Sequence, residues 1–207
     1  EAAHRHGVPV IVDNTTATPF LCRPIEHGAD VVVHSATKYI GGHGTTVGGV
    51  IVDSGTFPWA ENASRFPLLN EPDVSYHGVS YTRDVGDAAF IARARVVPLR
   101  NMGAALSAQA AWNLLQGLET LSLRIERICV NALAVAKHLE SHPLVTWVHY
   151  AGLENHPDHA LAQHYMNGHA SGILSFGIEG GQAAGERFYD ALALILRSVN
   201  IGDAKSC

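Results

Sequence analysis

The sequence predicts an α/β fold, and three observations carry that expectation. A strand, a short helix and a second strand follow one another between Val8 and Ser35. Apolar residues then recur at helical spacing from Ile125 to Leu139. Two further strand-like runs, Val145 to Tyr150 and Ile173 to Ile178, precede one more helical stretch. Together they imply a mostly parallel sheet with helices on both faces, plus a smaller C-terminal α/β layer.

Glu1 to Gly7 reads as the last turn of a helix, with Gly7 as its C-cap. Val10 to Val12 is too apolar and too short for a surface helix, so it reads as a strand buried on both faces and ending in Asp13. Pro24-Ile25-Glu26-His27-Gly28 suits a short helix, with Pro in its first turn and Gly just past its end. Val31 to Val33 begins a second strand, so the connection is a parallel crossover. Gly48 to Asp53 is a third strand. Only a short Gly-rich turn separates it from the second, too little for a helical crossover, so it is expected to run antiparallel.

Residues 54–100 are rich in turns and aromatic side chains, with a helix expected around Ala88 to Arg95. A helix is expected from Met102 to Gln116, stopped near Gly117. The Ile125 to Leu139 helix should end at Ser141-His142-Pro143, and Gly185 to Leu196 should form the last one. The division implied is 1–119, part of a larger domain, and 120–207, part of a smaller one.

The chemistry centres on Lys38. It follows the second strand in Val33-His34-Ser35-Ala36-Thr37-Lys38, and glycines follow in turn. The chain has three lysines, and neither Lys137 nor Lys205 has such a setting. An amine held there can form an imine with an aldehyde. In parallel sheets the groups beyond the strand C-termini line the ligand crevice, and Asp13 and Lys38 both occupy that edge. A lysine that holds an aldehyde, with a carboxylate that keeps a pyridine nitrogen protonated, is what pyridoxal 5'-phosphate requires. Ser35 and Thr37 offer hydroxyl hydrogen bonds to its phosphate. Taken singly, a capping Asp and a snorkelling Lys explain these residues; their joint position favours the cofactor.

The stretch from Val12 to Gly55, VDNTTATPFLCRPIEHGADVVVHSATKYIGGHGTTVGGVIVDSG, resembles the cofactor core of the Cys/Met-metabolism family of pyridoxal-phosphate enzymes. EPDVSYHGVSY, LLQGLETLSLRIER and NIGDAKS resemble its O-acetylhomoserine sulfhydrylase branch. The resemblance implies the aspartate-aminotransferase-like architecture, fold type I. It implies that Lys38 carries the cofactor, that Asp13 partners the ring nitrogen, that Ser35 and Thr37 contact phosphate and that Asn200 contacts the substrate carboxylate. Thr16 stands where the family usually has an aromatic residue, and Ala108 where it has proline; Ala108 should extend a helix start.

The reaction so implied is γ-replacement on O-acetyl-L-homoserine by sulfide, giving L-homocysteine and acetate. Cystathionine γ-synthase and methionine γ-lyase activities are the alternatives within the family. A catalytically silent segment that only associates with a full-length subunit is the alternative of another class. The resemblance also implies a homo-oligomer, a dimer of dimers. The opening at Glu1 and the stop after a motif that the family continues are read as marks of an internal segment. The segments outside it would supply a ring-stacking aromatic residue, further phosphate contacts and an arginine for the substrate carboxylate.

Composition narrows the classes. Hydrophobic residues make up 47% and charged residues 16%, enough for a sizeable core. A net charge of −5 with no basic stripe argues against nucleic acid as a partner. No apolar run approaches a membrane span. Cys22, Cys129 and Cys207 are odd in number and scattered, which suits a reducing cytoplasm and no zinc site. His156, His159, His164 and His169 lack convergent ligand spacing, so a solvated helical face is expected there and no metal.

Overall fold

A computed structural model of the chain describes residues 1–205, so Cys207 lies outside them. After a 3-10 turn at His4–His6 come β1 (Ile11–Asp13), α1 (Thr18–Leu21), a 3-10 turn at Pro24–His27, β2 (Val31–Ser35) and β3 (Gly49–Asp53). Next are α2 (Pro67–Asn70), α3 (Tyr81–Asp84), α4 (Ala89–Ala94), α5 (Arg100–Met102), α6 (Ala108–Glu119) and α7 (Leu121–Glu140). The order closes with β4 (Val145–His149), α8 (His159–Tyr165), β5 (Ser175–Ile178) and α9 (Gly181–Asp190). No helix among the described residues is long and apolar enough to cross a membrane. Two compact units share these elements. One comprises Glu1–Asn14, Pro24–His34 and Gly49–Gln109; the other comprises Thr15–Arg23, Ser35–Gly48 and Ala110–Cys207.

In the first unit the strand order is β1-β2-β3. β1 and β2 are parallel, with Asp13 opposite Val33, as the short crossover required. Gly28 closes that crossover at φ 90°, a left-handed value that its missing Cβ permits. Buried Asp30 anchors the entrance to both strands: its carboxylate accepts the Val10 N–H at 2.7 Å and meets His4 Nε2 at 2.7 Å. β2 is the buried strand, with Val31, Val32 and His34 all under 9% exposed. β1 departs from the expectation of burial on both faces, since Ile11 is 56% exposed. It stands first in the strand order, so only one of its edges is paired among the described residues.

The turn-rich stretch builds its own core from Phe57, Trp59, Leu69, Tyr81 and Ala89. Trp59 stacks on Phe90 with the rings 7° from parallel. The buried Tyr81 hydroxyl donates to Asp73 at 2.8 Å, which ties down the Asp73–Val79 bridge. Beyond α4 the backbone widens into a π turn over Arg95–Leu99, with Pro98 inside it. Proline lacks the N–H that the ordinary ladder uses, so the looser turn accommodates it. Gly103 then adopts φ 70° and ends α5. The helix expected from Met102 therefore starts at Ala108 instead.

In the second unit α6 does not stop at Gly117 but continues to Glu119. A Cβ at Gly117 would lie 2.3 Å from the Gly41 carbonyl oxygen and 2.5 Å from that of Ile40. Glycine serves there as a seat for another segment of backbone, and helix geometry survives it. α7 buries Leu121, Ile125, Cys129, Ala132 and Ala136, a stripe at three- and four-residue spacing. Its N-terminal half joins Ala17, Leu21 and Tyr39 in one core, and its C-terminal half joins Tyr150, Leu153 and Ala162 in another. β4 and β5 pair antiparallel, and Trp147 faces Gly177, where any Cβ would meet the indole at 2.1 Å. The last helix begins earlier than expected. Gly180 and Gly181 take φ 95° and 61° and turn the chain directly from β5 into α9, which ends at Asp190.

Candidate functional site

The turn after β2 presents Lys38. Lys38 N donates to Ser35 O at 3.1 Å, and Gly42 N donates to Lys38 O at 2.8 Å. Thr37 is held tightly: its N–H and its hydroxyl both reach Gly48 O, at 3.2 and 3.3 Å, and the hydroxyl accepts Gly48 N–H at 2.9 Å. Ser35 N donates to Thr15 Oγ1 at 2.8 Å. On the other side, Ala204 N donates to Gly42 O at 2.8 Å. Gly202 lies flat against the buried Tyr39 ring, where a Cβ would stand 2.4 Å from Cγ. These contacts bring the Asn200–Ala204 segment onto the lysine turn.

Lys38 Nζ accordingly donates to Asn200 Oδ1 at 3.0 Å and to Val199 O at 3.4 Å. Gly44 leaves room for that asparagine, since a Cβ there would be 2.9 Å from Asn200 Nδ2. Two residues expected at one site from separate parts of the sequence thus meet. An amine among neutral carbonyl oxygens, on a turn with hydroxyl residues at the strand end, fits an aldehyde cofactor bearing a phosphate.

Asp13 is the last residue of β1 and is exposed. Asn14, buried behind it, donates its N–H to Val33 O at 2.9 Å. Close to Asp13 lies His34, a residue outside the set expected from the sequence. Burial lowers the pKa of this imidazole, against the opposing pull of the Asp13 carboxylate and of a hydrogen bond to the Asn14 backbone. Its Nδ1 is buried without a hydrogen-bond partner. The signal was a histidine inside an otherwise apolar strand.

Arg124 is a second residue outside the expected set. It stands in the first turn of α7, the end of a helix that disfavours a cation. Nη1 donates to Tyr39 O at 2.7 Å, and Nη2 donates to Ile40 O at 3.1 Å and to Gly117 O at 2.6 Å. Nε donates to Thr120 Oγ1 at 3.1 Å. Burial lowers the guanidinium pKa.

The histidines make local contacts. His156 packs edge-on to His149 with ring centres 4.3 Å apart, and His159 Nδ1 lies 3.0 Å from Ala151 O. Among the described residues no three His, Cys, Asp or Glu side chains converge as a metal site would need.

All of the chain, residues 1–207, matches the Cys/Met metabolism PLP-dependent enzyme family. It is 51% identical over 207 residues to a homocysteine synthase of Schizosaccharomyces pombe, with all of this chain and 48% of that protein aligned. It is 47% identical over 207 residues to an O-acetyl-L-homoserine sulfhydrylase of Thermus thermophilus, with all of this chain and 49% of that protein aligned. The chain thus spans about half the length of the relatives it matches. A solved structure described as an O-acetylhomoserine (thiol)-lyase from Campylobacter jejuni superposes with a TM-score of 0.90 at 42% identity, covering 98% of this chain and 48% of that one. That protein carries N'-pyridoxyl-lysine-5'-monophosphate. The expected fold type I α/β class is borne out by this likeness, and the chain belongs to the Cys/Met metabolism family of PLP-dependent enzymes.

Proposed function

We propose that the protein of which this chain is part converts O-acetyl-L-homoserine and sulfide to L-homocysteine and acetate, with pyridoxal 5'-phosphate as cofactor. The observation that carries the reading is the 3.0 Å contact of Lys38 Nζ with Asn200 Oδ1 in a chain of this family. Relatives named homocysteine synthase and O-acetyl-L-homoserine sulfhydrylase support the choice of substrate and nucleophile.

In this reading Lys38 anchors the cofactor aldehyde through its amine. Once the substrate amine has taken that place, Lys38 moves protons at the α and β carbons as general base and acid. Asp13 is the carboxylate for the ring nitrogen. Ser35 and Thr37 serve the phosphate, and Asn200 orients the substrate carboxylate. Bound pyridoxal phosphate supplies the electron sink for the pair released at the α carbon. Acetate leaves from the γ carbon, and sulfide bonds there.

The reading extends to the whole protein. Residues 1–119 belong to the large cofactor-binding domain and 120–207 to the small one. The assembly is a homo-oligomer, a dimer of dimers. The exposed apolar row Trp112, Leu115 and Leu118 on α6 supports buried contacts of that kind. The compartment is the cytoplasm, whose reducing conditions suit three scattered cysteines without paired spacing.

The deciding assay gives the full-length holoenzyme O-acetylhomoserine with sulfide or cysteine at matched concentration. Homocysteine should dominate. Dominant cystathionine would move the protein to the synthase branch, and release of 2-oxobutanoate without added thiol would move it to the lyase branch.

A further inference from the structure

We propose that Arg124 is a positioning residue for Lys38: its guanidinium fixes the turn that carries the lysine and so sets the aim of the amine. The inference rests on the reading that Lys38 carries the cofactor.

The two carbonyls that Arg124 holds belong to Tyr39 and Ile40, the residues directly after Lys38. Neither carbonyl lies in the strand ladder, so each needs a donor from elsewhere. The planar guanidinium supplies both and reaches Gly117 O on α6 with the same fork. Its setting looks built for this arrangement. Gly42 has no side chain where a Cβ would stand 2.6 Å from Nη1, and Gly117 has none where one would stand 2.3 Å from Gly41 O. Glycines on two segments clear the space in which one side chain ties three carbonyls. Thr120 Oγ1 steadies Nε from the residue that precedes α7.

A purely structural residue in a helix first turn would more simply be acidic or neutral. Arg124 gives up the favourable dipole and part of its hydration, and what it contacts in return is the lysine turn. With Thr37 bound to Gly48 before the lysine and Arg124 bound to Tyr39 and Ile40 after it, the Lys38 backbone is held from both sides. Displacement of a reacting group by about 1 Å costs on the order of 10²-fold in rate. Loss of the clamp should therefore appear in turnover more than in substrate binding.

The test uses the full-length holoenzyme with Arg124→Met, which keeps reach but donates nothing, and Arg124→Lys, which keeps charge but not the fork. Borohydride trapping in the wild-type protein first locates the cofactor. A label on Lys137 or Lys205 would remove the cofactor reading, and amide exchange at residues 39–42 would then alone decide whether Arg124 fixes the turn. With the label on Lys38, Arg124→Met should lower kcat by about 10- to 100-fold while KM changes less than about threefold. The pH midpoint of the visible absorbance of the Lys38-bound cofactor should move, and amides 39–42 should exchange faster. Arg124→Lys should recover part of each effect. A folded Arg124→Met variant with unchanged kcat and unchanged midpoint overturns the proposal. So does loss of folding at the assay temperature in both variants, which would make Arg124 a residue of stability alone.

Discussion

Lys38 Nζ donates a hydrogen bond to Asn200 Oδ1 at 3.0 Å, joining residues 162 positions apart in sequence. If Asn200 orients the substrate carboxylate, its removal takes away binding that persists from ground state to transition state. A hydrogen bond to a charged group contributes about 1.5–3 kcal/mol, so Asn200→Ala should raise KM for O-acetylhomoserine about tenfold or more, with a smaller change in kcat. Steady-state kinetics on the full-length enzyme check this. A fall in kcat at constant KM would assign Asn200 to the lysine amine instead of the substrate.

Lys38 and Asp13 make separable predictions. Lys38→Ala should abolish borohydride-stable attachment of cofactor, read by mass spectrometry of the digested protein. Asp13→Ala should retain the attachment and lose turnover. Removal of one preorganised charge at a developing charge costs roughly 10²–10³-fold in kcat. Near-wild-type turnover in Asp13→Ala would remove Asp13 from the role of ring-nitrogen partner.

Much of this arrangement was legible in the sequence, for reasons that stay local. Val31 to Val33 could only be a buried strand, Pro24 and Gly28 bracket a single turn, and the Ile125, Ile128, Ala132, Val135 spacing states its helix, although the face that the fold buries runs through Cys129 and Ala136. The misses share a non-local cause. Gly117 looks like a helix stop until Gly41 is seen against it. Ile11 reads as buried, yet it is 56% exposed on a strand that stands first in the order among the described residues. Arg124 could not be read at all, because its partners are backbone carbonyls, which leave no mark on residue identity. Lys38 stands out by its place after a buried strand, Asn200 through motif resemblance alone, and the contact between them comes only with the fold.

Glycines 117 and 185 both lie inside helices, yet their alanine variants should move stability in opposite directions. At Gly117 the new methyl group would meet the backbone of Ile40 and Gly41, which cannot step aside as a flexible side chain can. Overpacking of that kind costs about 1–3 kcal/mol. Gly185 on α9 has nothing within 4 Å of its added Cβ, so Gly185→Ala should stabilise by roughly 0.5–1 kcal/mol through helix propensity alone. Urea unfolding of the two variants beside wild type makes the comparison. A stabilising shift in Gly117→Ala equal to that in Gly185→Ala would show that the close approach of α6 to the lysine turn carries no cost.

His34 should make the protein less stable on mild acidification. Its folded-state pKa lies below the ordinary 6.5, with burial as the largest cause and with the Asp13 carboxylate and the Asn14 backbone opposing it. Between that lowered value and 6.5 the unfolded chain binds more protons at this residue than the folded one does, so stability rises with pH across the window. The contribution is fully present above pH 6.5 and is lost as pH falls through the window. The two proteins compared differ at this residue alone, so the informative quantity is a difference. Urea midpoints measured at pH 7.5 and pH 5.5 should fall further on acidification in the wild-type protein than in His34→Asn, which cannot take up the proton. Identical pH dependence in the two proteins would mean that protonated His34 is accommodated beside Asp13 at no cost. The orphaned Nδ1 makes that outcome unfavourable, because a proton added there would be buried without an acceptor.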